Sequence, residues 1–504
     1  MPMVLESWLT KVRSSMSSSS NNKSSSGPPG PGPSRKQSRT VAILAFEVAS
    51  LMSKLLHLWR AVGDAAVARL RQETINLHGV RKLVSDDDDF LLGLACAELV
   101  DTLRSASDSV AALAARCADP SLRDFRGAFV EFADTGRDRH RWAPVTWKEM
   151  DARARKMEKQ VASTAALRRA MEELAEAEHG LRKLLHVQCG GGGGGRGGHR
   201  RSLSASKISV AAEQQQLVFS KKQEVKHLKQ TSLWGCTFDA AVASLARAAF
   251  GTLARTKAVF GWQERRHHPP LLTLSSAVVH PSPAPRKSDR QTFSFLEECS
   301  AALTPPAGTL GADALAPRYA GVVISIERMA RSPRLVGPEE RDELYGMLTA
   351  SVRAQLRARL RGAVAAADPG LACQWRAALA GILEWLAPMA HATVRWQAER
   401  SLEQRSALAG AGDAEQQRKG GGCGALLLLQ TLQLARRDGV DAAVVELLVG
   451  LNYVWRFEKE MLLAVQRQLQ LQLQMMDDVD LDMRLSGGEE EDMHGNGTTV
   501  RSIE

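Results

Sequence analysis

Apolar side chains recur at intervals of three and four residues near both ends of this 504-residue chain. Near the N-terminus the pattern runs from Val41 to Val62, and in the C-terminal third it begins near Ala314. Such spacing places the apolar side chains on one stripe of an α-helix, which has to be buried against another element. Aromatic residues make up only 5% of the chain, whereas helix-favouring Leu, Ala, Arg, Glu and Gln recur throughout. We therefore predict an all-α protein in which two helix-rich blocks form helical bundles.

Low-complexity segments separate the helical patterns and define the predicted domain boundaries. Tracts rich in Gly, Ser and Pro bury too little apolar surface to offset their ordering entropy, so they are predicted to be disordered linkers. Heptad spacing from Trp147 to Thr164 predicts a long helical or coiled-coil-like arm. The predicted organisation is a disordered tail at 1–39, an N-terminal helical domain at 40–135, the arm at 147–188, a flexible Gly/Ser/basic linker at 189–230, a helix at 231–262, a disordered linker at 263–312, a C-terminal helical domain at 313–474 with a flexible insert at 409–424, and an acidic disordered tail at 475–504.

Two positions inside the helical blocks affect where the helices end. A helix capped at Asp64 is expected to continue to about Val84. Pro388 falls inside the longest helical pattern, at 371–404, where proline removes a backbone hydrogen bond and its ring crowds the preceding turn. We expect either a junction of two helices or a kink at Pro388.

No local pattern indicates catalysis, a cofactor or a metal. The chain lacks the nucleophile-elbow, zinc-protease, Walker and dinucleotide motifs, and the glycine tract at 190–198 is not followed by the Gly-Lys-Ser/Thr of a phosphate loop. The four aspartates at 86–89 lack the spacing of a calcium loop and suit the first turn of a helix. Seven scattered cysteines without CxxC spacing indicate free thiols in a reducing compartment. We predict a protein that is not an enzyme and uses no cofactor.

The charge of the chain suggests an acidic partner. The net charge is +10 with a pI of about 9.4, which suits nucleic acid or an anionic membrane surface. Nucleic acid is disfavoured because no basic stripe is interleaved with aromatic residues. No uncharged apolar run reaches the roughly 18–20 residues of a membrane span, so a soluble or peripheral protein is expected. Protein partners are expected, while their identity and the oligomeric state stay open.

Two terminal or linker segments carry regulatory hypotheses. Ser202 and Ser204 lie just after Arg200 and Arg201 in the predicted linker, where phosphorylation would create a docking site for an arginine-lined partner. A solvated linker without regulation is the equal alternative. Residues 1–40 are rich in serine and basic residues and contain a single acid, so a chloroplast transit peptide is the less favoured alternative to a disordered tail.

Several runs of residues resemble one plant protein family. Near the N-terminus these are Thr40–Ala49 (TVAILAFEVA), Met52–Trp59 (MSKLLHLW) and Gly79–Asp86 (GVRKLVSD), and near the other end Gly381–His391 (GILEWLAPMAH) and Glu446–Glu458 (ELLVGLNYVWRFE). In this order they are similar to the N-terminal and C-terminal domains of the PSK SIMULATOR proteins, whose biochemical function is uncharacterised. Leu335–Pro338, Arg341–Tyr345 and Val394–Gln397 extend the C-terminal match.

This resemblance implies a role in promoting plant growth, linked to signalling by the sulfated peptide hormone phytosulfokine. It implies a location in the nucleus or cytoplasm, or peripherally at the plasma membrane, and it supplies no catalytic residue. Our leading hypothesis is a helical adaptor or scaffold whose partner surface includes Arg395 and Trp396, a basic-aromatic pair after Pro388. The alternative is a peripheral membrane scaffold held on anionic lipid by basic helices around 353–361.

Overall fold

The computed structural model describes residues 40–189, 205–261, 294–333, 336–361, 368–409 and 427–487. Within these ranges the chain forms fifteen α-helices, short 3-10 and π turns and two isolated bridges, but no β-strand. The predicted all-α class is confirmed. The helices are α1 (Ala45–Ala61), α2 (Asp64–Arg69), α3 (His78–Leu83), α4 (Asp88–Ala114), α5 (Pro120–Arg123), α6 (Phe125–Thr135), α7 (Trp147–Cys189), α8 (Ala205–Thr231), α9 (Phe238–Val259), α10 (Phe295–Ala302), α11 (Ala316–Arg331), α12 (Pro338–Met347), α13 (Ala350–Leu360), α14 (Pro369–Ala409) and α15 (Arg437–Gly487).

The helices fall into two compact units that are interleaved in sequence. The first unit contains α1, α2 and α4–α10, and the second contains α3, α11–α13, most of α14, and α15. The predicted N-terminal domain at 40–135 is therefore wrong at residues 73–88, which belong to the second unit. The helix expected from Asp64 to Val84 is also interrupted, since the chain leaves helical geometry at Leu77 before α3 begins.

The first unit is built around α1, α7 and α9, which pack against one another. Met52 and Leu55 of α1 and Val242 and Leu245 of α9 are buried, as their helical spacing predicts. At one end of this core, the ring of Phe250 meets four other aromatic rings. These belong to Phe125, Phe129, Phe132 and Trp142.

The predicted flexible linker at 189–230 is wrong from residue 205 onward, because this segment forms α8 and packs along α7. Val225 is buried with Leu167 and Ala170, and the Lys221 ammonium forms an ion pair with Glu173. Ala, Gln, Glu and Lys are good helix formers, so a narrow apolar stripe suffices once α7 supplies the other side. The predicted arm at 147–188 is α7, which packs within its own chain and forms a hairpin with α8.

Two further predicted boundaries need correction. The predicted linker at 263–312 is wrong at its end, because α10 begins at Phe295, where the Glu297 carboxylate accepts the Ser294 backbone N–H at 3.4 Å. The predicted acidic tail at 475–504 is wrong up to residue 487, where α15 ends. The tail at 1–39, the insert at 410–424 and residues 488–504 lie outside the described residues.

The second unit packs α11, α13 and α14 with the first half of α15 around one apolar core that also takes in Leu83 of α3. The backbone N–H of Arg436 donates to the carbonyl oxygen of Leu83 at 2.9 Å, which ties α3 to the start of α15. The helix α14 continues through Pro388. The predicted alternative in which two helices meet at Pro388 is therefore wrong. Proline has no N–H to donate to the carbonyl oxygen four residues earlier. Because Pro388 is exposed, that carbonyl oxygen can bind water instead.

Two stretches, Ala42–Ala61 and Pro369–Ser401, are long and apolar enough to cross a membrane by length and composition alone. In each stretch, 44% of an apolar segment of 18 residues is buried within the fold. Buried core helices pass the same test, and Met52 and Leu386 from these stretches lie in the cores of the two units.

Candidate interaction surfaces

The predicted partner surface lies on α14, about two turns after Pro388. Arg395 is exposed, while Trp396 is half-buried with the Arg400 guanidinium 4.5 Å from its ring centroid. The helix is anchored next to these residues, because the buried Thr393 hydroxyl donates to the Met389 carbonyl at 2.7 Å and accepts the Leu432 N–H at 2.9 Å. The structure thus stacks Arg400 on Trp396, whereas Arg395 is exposed on another side of the same anchored helix.

The basic helix α13, which the membrane alternative requires, uses much of its charge within the chain. The Arg353 guanidinium donates to the carbonyls of Tyr345 and Gly346 at 3.2 and 2.9 Å. Arg357 donates to the Tyr345 hydroxyl at 3.1 and 2.7 Å, and Arg359 forms an ion pair with Glu446. Side chains held in this way are poorly placed to reach lipid headgroups. The predicted phosphorylation residues Ser202 and Ser204 lie outside the described residues.

A buried polar network lies inside the second unit, and the sequence analysis missed it. The Tyr319 hydroxyl donates to the Asp441 carboxylate and lies 3.0 Å from the Thr349 hydroxyl. The Ser351 hydroxyl donates to the other carboxylate oxygen at 2.9 Å, and the Arg437 guanidinium is 3.9 Å from it. An acid within the apolar stripe of α15 was the available signal, because such a residue has to be paired when buried.

Burial, followed by the hydrogen bond to Asp441, raises the pKa of Tyr319 to about 12. Unfolded tyrosine ionises near pH 10, so any stability that depends on the neutral hydroxyl is complete below pH 10 and is lost as the pH rises through 12. We expect near-ultraviolet titration of the three tyrosines to show one late ionisation. Tyr319→Phe should remove this step and Tyr345→Phe should keep it; a late step that survives Tyr319→Phe would contradict the network.

The second half of α15 exposes a series of large apolar side chains that the sequence analysis did not separate from the buried part of that helix. The described residues 459–476 are all exposed. Helical spacing alone cannot tell a packed stripe from an unpacked one, since both have the same period. The large apolar residues concerned are Met461, Leu462, Leu463, Val465, Leu469, Leu471, Leu473, Met475 and Met476.

A cleft of about 500 Å³ in the first unit is lined by charged side chains, among them Asp119, Arg153 and Asp239. Asp239 accepts the backbone N–H groups of Ala118 and Asp119, and hydrogen bonds from Ser121 lower the pKa of Asp119. Both carboxylates therefore accept hydrogen bonds from backbone N–H groups next to α5. The lowered pKa of Asp119 also lies outside the range that suits a general acid. Among the described residues, no group of three or more His, Cys, Asp or Glu side chains is placed to bind a metal.

The fold defines a helical protein that combines two domains of uncharacterised function. Residues 43–99 match the family described as a domain of unknown function (DUF3475), and residues 309–395 match the family described as a protein of unknown function (DUF668). The first match spans residues 73–88, so it contributes helices to both units. Arg395 is the last residue of the second match.

The chain is similar to two members of the PSK SIMULATOR family, as the sequence resemblance predicted. It is 22% identical over 419 residues to Protein PSK SIMULATOR 1 of Arabidopsis thaliana, which covers 82% of this chain and 56% of that relative. It is 23% identical over 435 residues to Protein PSK SIMULATOR 2 of the same plant, covering 85% of this chain and 62% of that relative. The chain thus spans about three fifths of the length of these relatives. No solved structure matches it.

Proposed function

We propose that this chain is a non-enzymatic helical adaptor that promotes plant growth in signalling linked to phytosulfokine. The observation that carries the proposal is its similarity, over 82–85% of its length, to two proteins named PSK SIMULATOR. The acids of the cleft in the first unit are engaged by the backbone, which supports binding over catalysis. The proposed site of action is the nucleus or cytoplasm, or the inner face of the plasma membrane.

The proposed docking surface is the basic-aromatic edge formed by Arg395, Trp396 and Arg400. Aromatic and arginine side chains dominate the binding energy of many interfaces, and here they sit on a helix that the buried Thr393 ties to Leu432. A half-buried tryptophan also loses little conformational freedom when a partner covers it. The partner that fits this edge is a protein surface with carboxylates beside an apolar pocket.

We expect Arg395→Glu and Trp396→Ala each to weaken partner binding by about tenfold or more, because charge reversal repels an acidic partner and truncation removes the apolar anchor. The measurement is growth of Arabidopsis lacking PSK SIMULATOR 1 and 2, complemented with each form of the full chain and treated with phytosulfokine, together with proximity labelling. Arg328→Glu, the same charge change at an exposed position on α11, is the matched control.

Three outcomes separate the parts of this proposal. If the chain fails to restore growth, the signalling role is wrong. If growth is restored equally by the Arg395→Glu and Arg328→Glu variants with the same labelled partners, the docking surface is wrong. If the chain floats with anionic vesicles at low salt and is released by high salt, the peripheral membrane scaffold replaces the adaptor.

A further inference from the structure

The exposed half of α15 carries an ordered apolar stripe. Leu462, Val465, Leu469, Leu473 and Met476 follow one another at intervals of three, four, four and three residues, which is the spacing of a coiled-coil seam. Each of these side chains is 53–69% exposed. A continuous apolar strip of this kind on a helix surface marks an interaction site. We call these five residues the α15 stripe.

The α15 stripe continues a seam that is already packed. Val444, Leu448 and Leu451 precede it on the same side of α15 at the same three- and four-residue intervals, and all three lie in the core of the second unit. The side of the helix that binds other helices in its first half is therefore the side left uncovered in its second half. A helix can complete such a seam with another helix of matching period.

The charges along α15 favour a second copy of the same helix in the opposite direction. Residues 459–476 contain Lys459, Glu460 and Arg467, whereas the sequence at 477–482 contains four aspartates and no base. A parallel pair would place the two acidic stretches side by side, where like charges repel. An antiparallel pair separates the two acidic stretches and places each beside the end of the partner helix that carries Lys459 and Glu460, whose charges balance. The same charge argues against anionic lipid as the surface that covers the stripe.

We propose that the chain forms a homodimer through an antiparallel coiled coil between the α15 stripes of two copies. In the register that pairs the two seams, position 465 of one helix lies beside position 476 of the other. The overlap extends over about 20 residues, or about 30 Å of helix. This interface is separate from the basic-aromatic edge on α14, and it does not depend on the proposed signalling role.

The first test measures the oligomeric state of the full chain by sedimentation velocity across a range of concentrations. The seam variant Val465→Gln/Leu469→Gln should weaken dimerisation about 100-fold or more, because four apolar contacts are lost per dimer. The matched control is Leu471→Gln/Met475→Gln, whose side chains are 60% and 68% exposed but lie on the other side of the helix. The control should remain dimeric, and circular dichroism should show equal helix content in both variants.

The second test determines the direction of pairing by disulfide formation. Two chains are prepared, one with Val465→Cys and one with Met476→Cys, both with the exposed Cys373 changed to serine. Antiparallel pairing predicts a disulfide between the two different chains when they are mixed and oxidised. A 465–465 disulfide is then excluded, because antiparallel positions 465 are separated by about 16 Å along the helix axis.

Five results would overturn the proposal. A monomer at every concentration excludes self-association, and a dimer that survives the seam variant places the interface elsewhere. Equal dissociation of the seam and control variants shows non-specific apolar contact. Preferential formation of the 465–465 disulfide shows a parallel pair. If the wild-type chain is monomeric and binds neutral vesicles in a manner that the seam variant abolishes, a lipid surface covers the stripe.

Discussion

Replacing Gly79 with alanine should destabilise the second unit by about 1–3 kcal/mol, the usual cost of forcing an extra group into a packed core. A Cβ atom at this position would lie 2.6 Å from both the carbonyl oxygen of Trp385 and the sulfur of Met389. The methionine could rotate away, but the carbonyl belongs to the backbone of α14. The helix α3 would have to move off α14, which would also disturb the Leu83 contact with Arg436. Gly79→Val should cost more, since valine adds two further methyl groups.

The effect of Gly79→Ala is measured by unfolding the full chain in urea. Hydrogen exchange of the α11 and α14 backbone reports the unfolding of the second unit. Gly321→Ala is the matched control, because it lies inside α11 and a Cβ there meets no atom within 4 Å. That substitution should stabilise α11 by up to about 1 kcal/mol through lower chain entropy. Equal effects of the two substitutions would show that α3 does not contact α14 as described.

The all-α class followed from the sequence because it depends on local periodicity, which each helix carries in itself. The assignment of α3 did not follow. Val80 and Leu83 are spaced correctly for a helix in either unit, and only contacts with residues some 300 positions away decide that they join the second unit. Local patterns therefore predicted the helix but could not predict which core it enters.

Helix α8 and the exposed half of α15 both show that the spacing within one helix does not predict its burial. In α8 the buried stripe was missed, and in α15 apolar residues are left exposed. Val218 and Val225 form a stripe too narrow to recognise without α7, so a polar segment was interpreted as a linker. In α15 the helical spacing of apolar residues is visible in the sequence, but the sequence does not show that Leu469 lacks a helix to pack against. Burial depends on a partner, and a partner is not encoded in the period of one helix.

The candidate surface on α14 was partly predictable. Arg395 and Trp396 are adjacent in sequence, so their position on one turn of α14 needs no tertiary information. Exposure of Arg395 and stacking of Arg400 on Trp396 depend on which face Thr393 buries against Leu432, which is a contact between distant segments. The network of Tyr319 and Asp441 was missed for the same reason, since 122 positions separate these two residues.

Phe250→Ala should destabilise the first unit by about 3–5 kcal/mol, because the ring is fully buried and its removal leaves a cavity that the surroundings cannot easily fill. The neighbouring ring centroids lie 4.9–6.1 Å away. Three of these rings are on the rigid helix α6, and Trp142 is held by the loop that follows it. Rings fixed in this way are poorly placed to collapse into the space, so both the transfer and the cavity contributions to the free energy of unfolding should be lost.

The control for this prediction is Phe219→Ala on α8, where the side chain is 65% exposed and the same truncation should change stability by less than about 1 kcal/mol. Hydrogen exchange of the α9 backbone in increasing urea reports the unfolding of this core. Loss of protection in α9 with the Phe250 variant but not the Phe219 variant is the expected result. Equal protection in both would mean that the aromatic cluster does not hold α9 against α6. In a growth assay, a variant that loosens the Phe250 core would lose activity because the protein unfolds. Such a variant has to be distinguished from one that changes only the surface at Arg395.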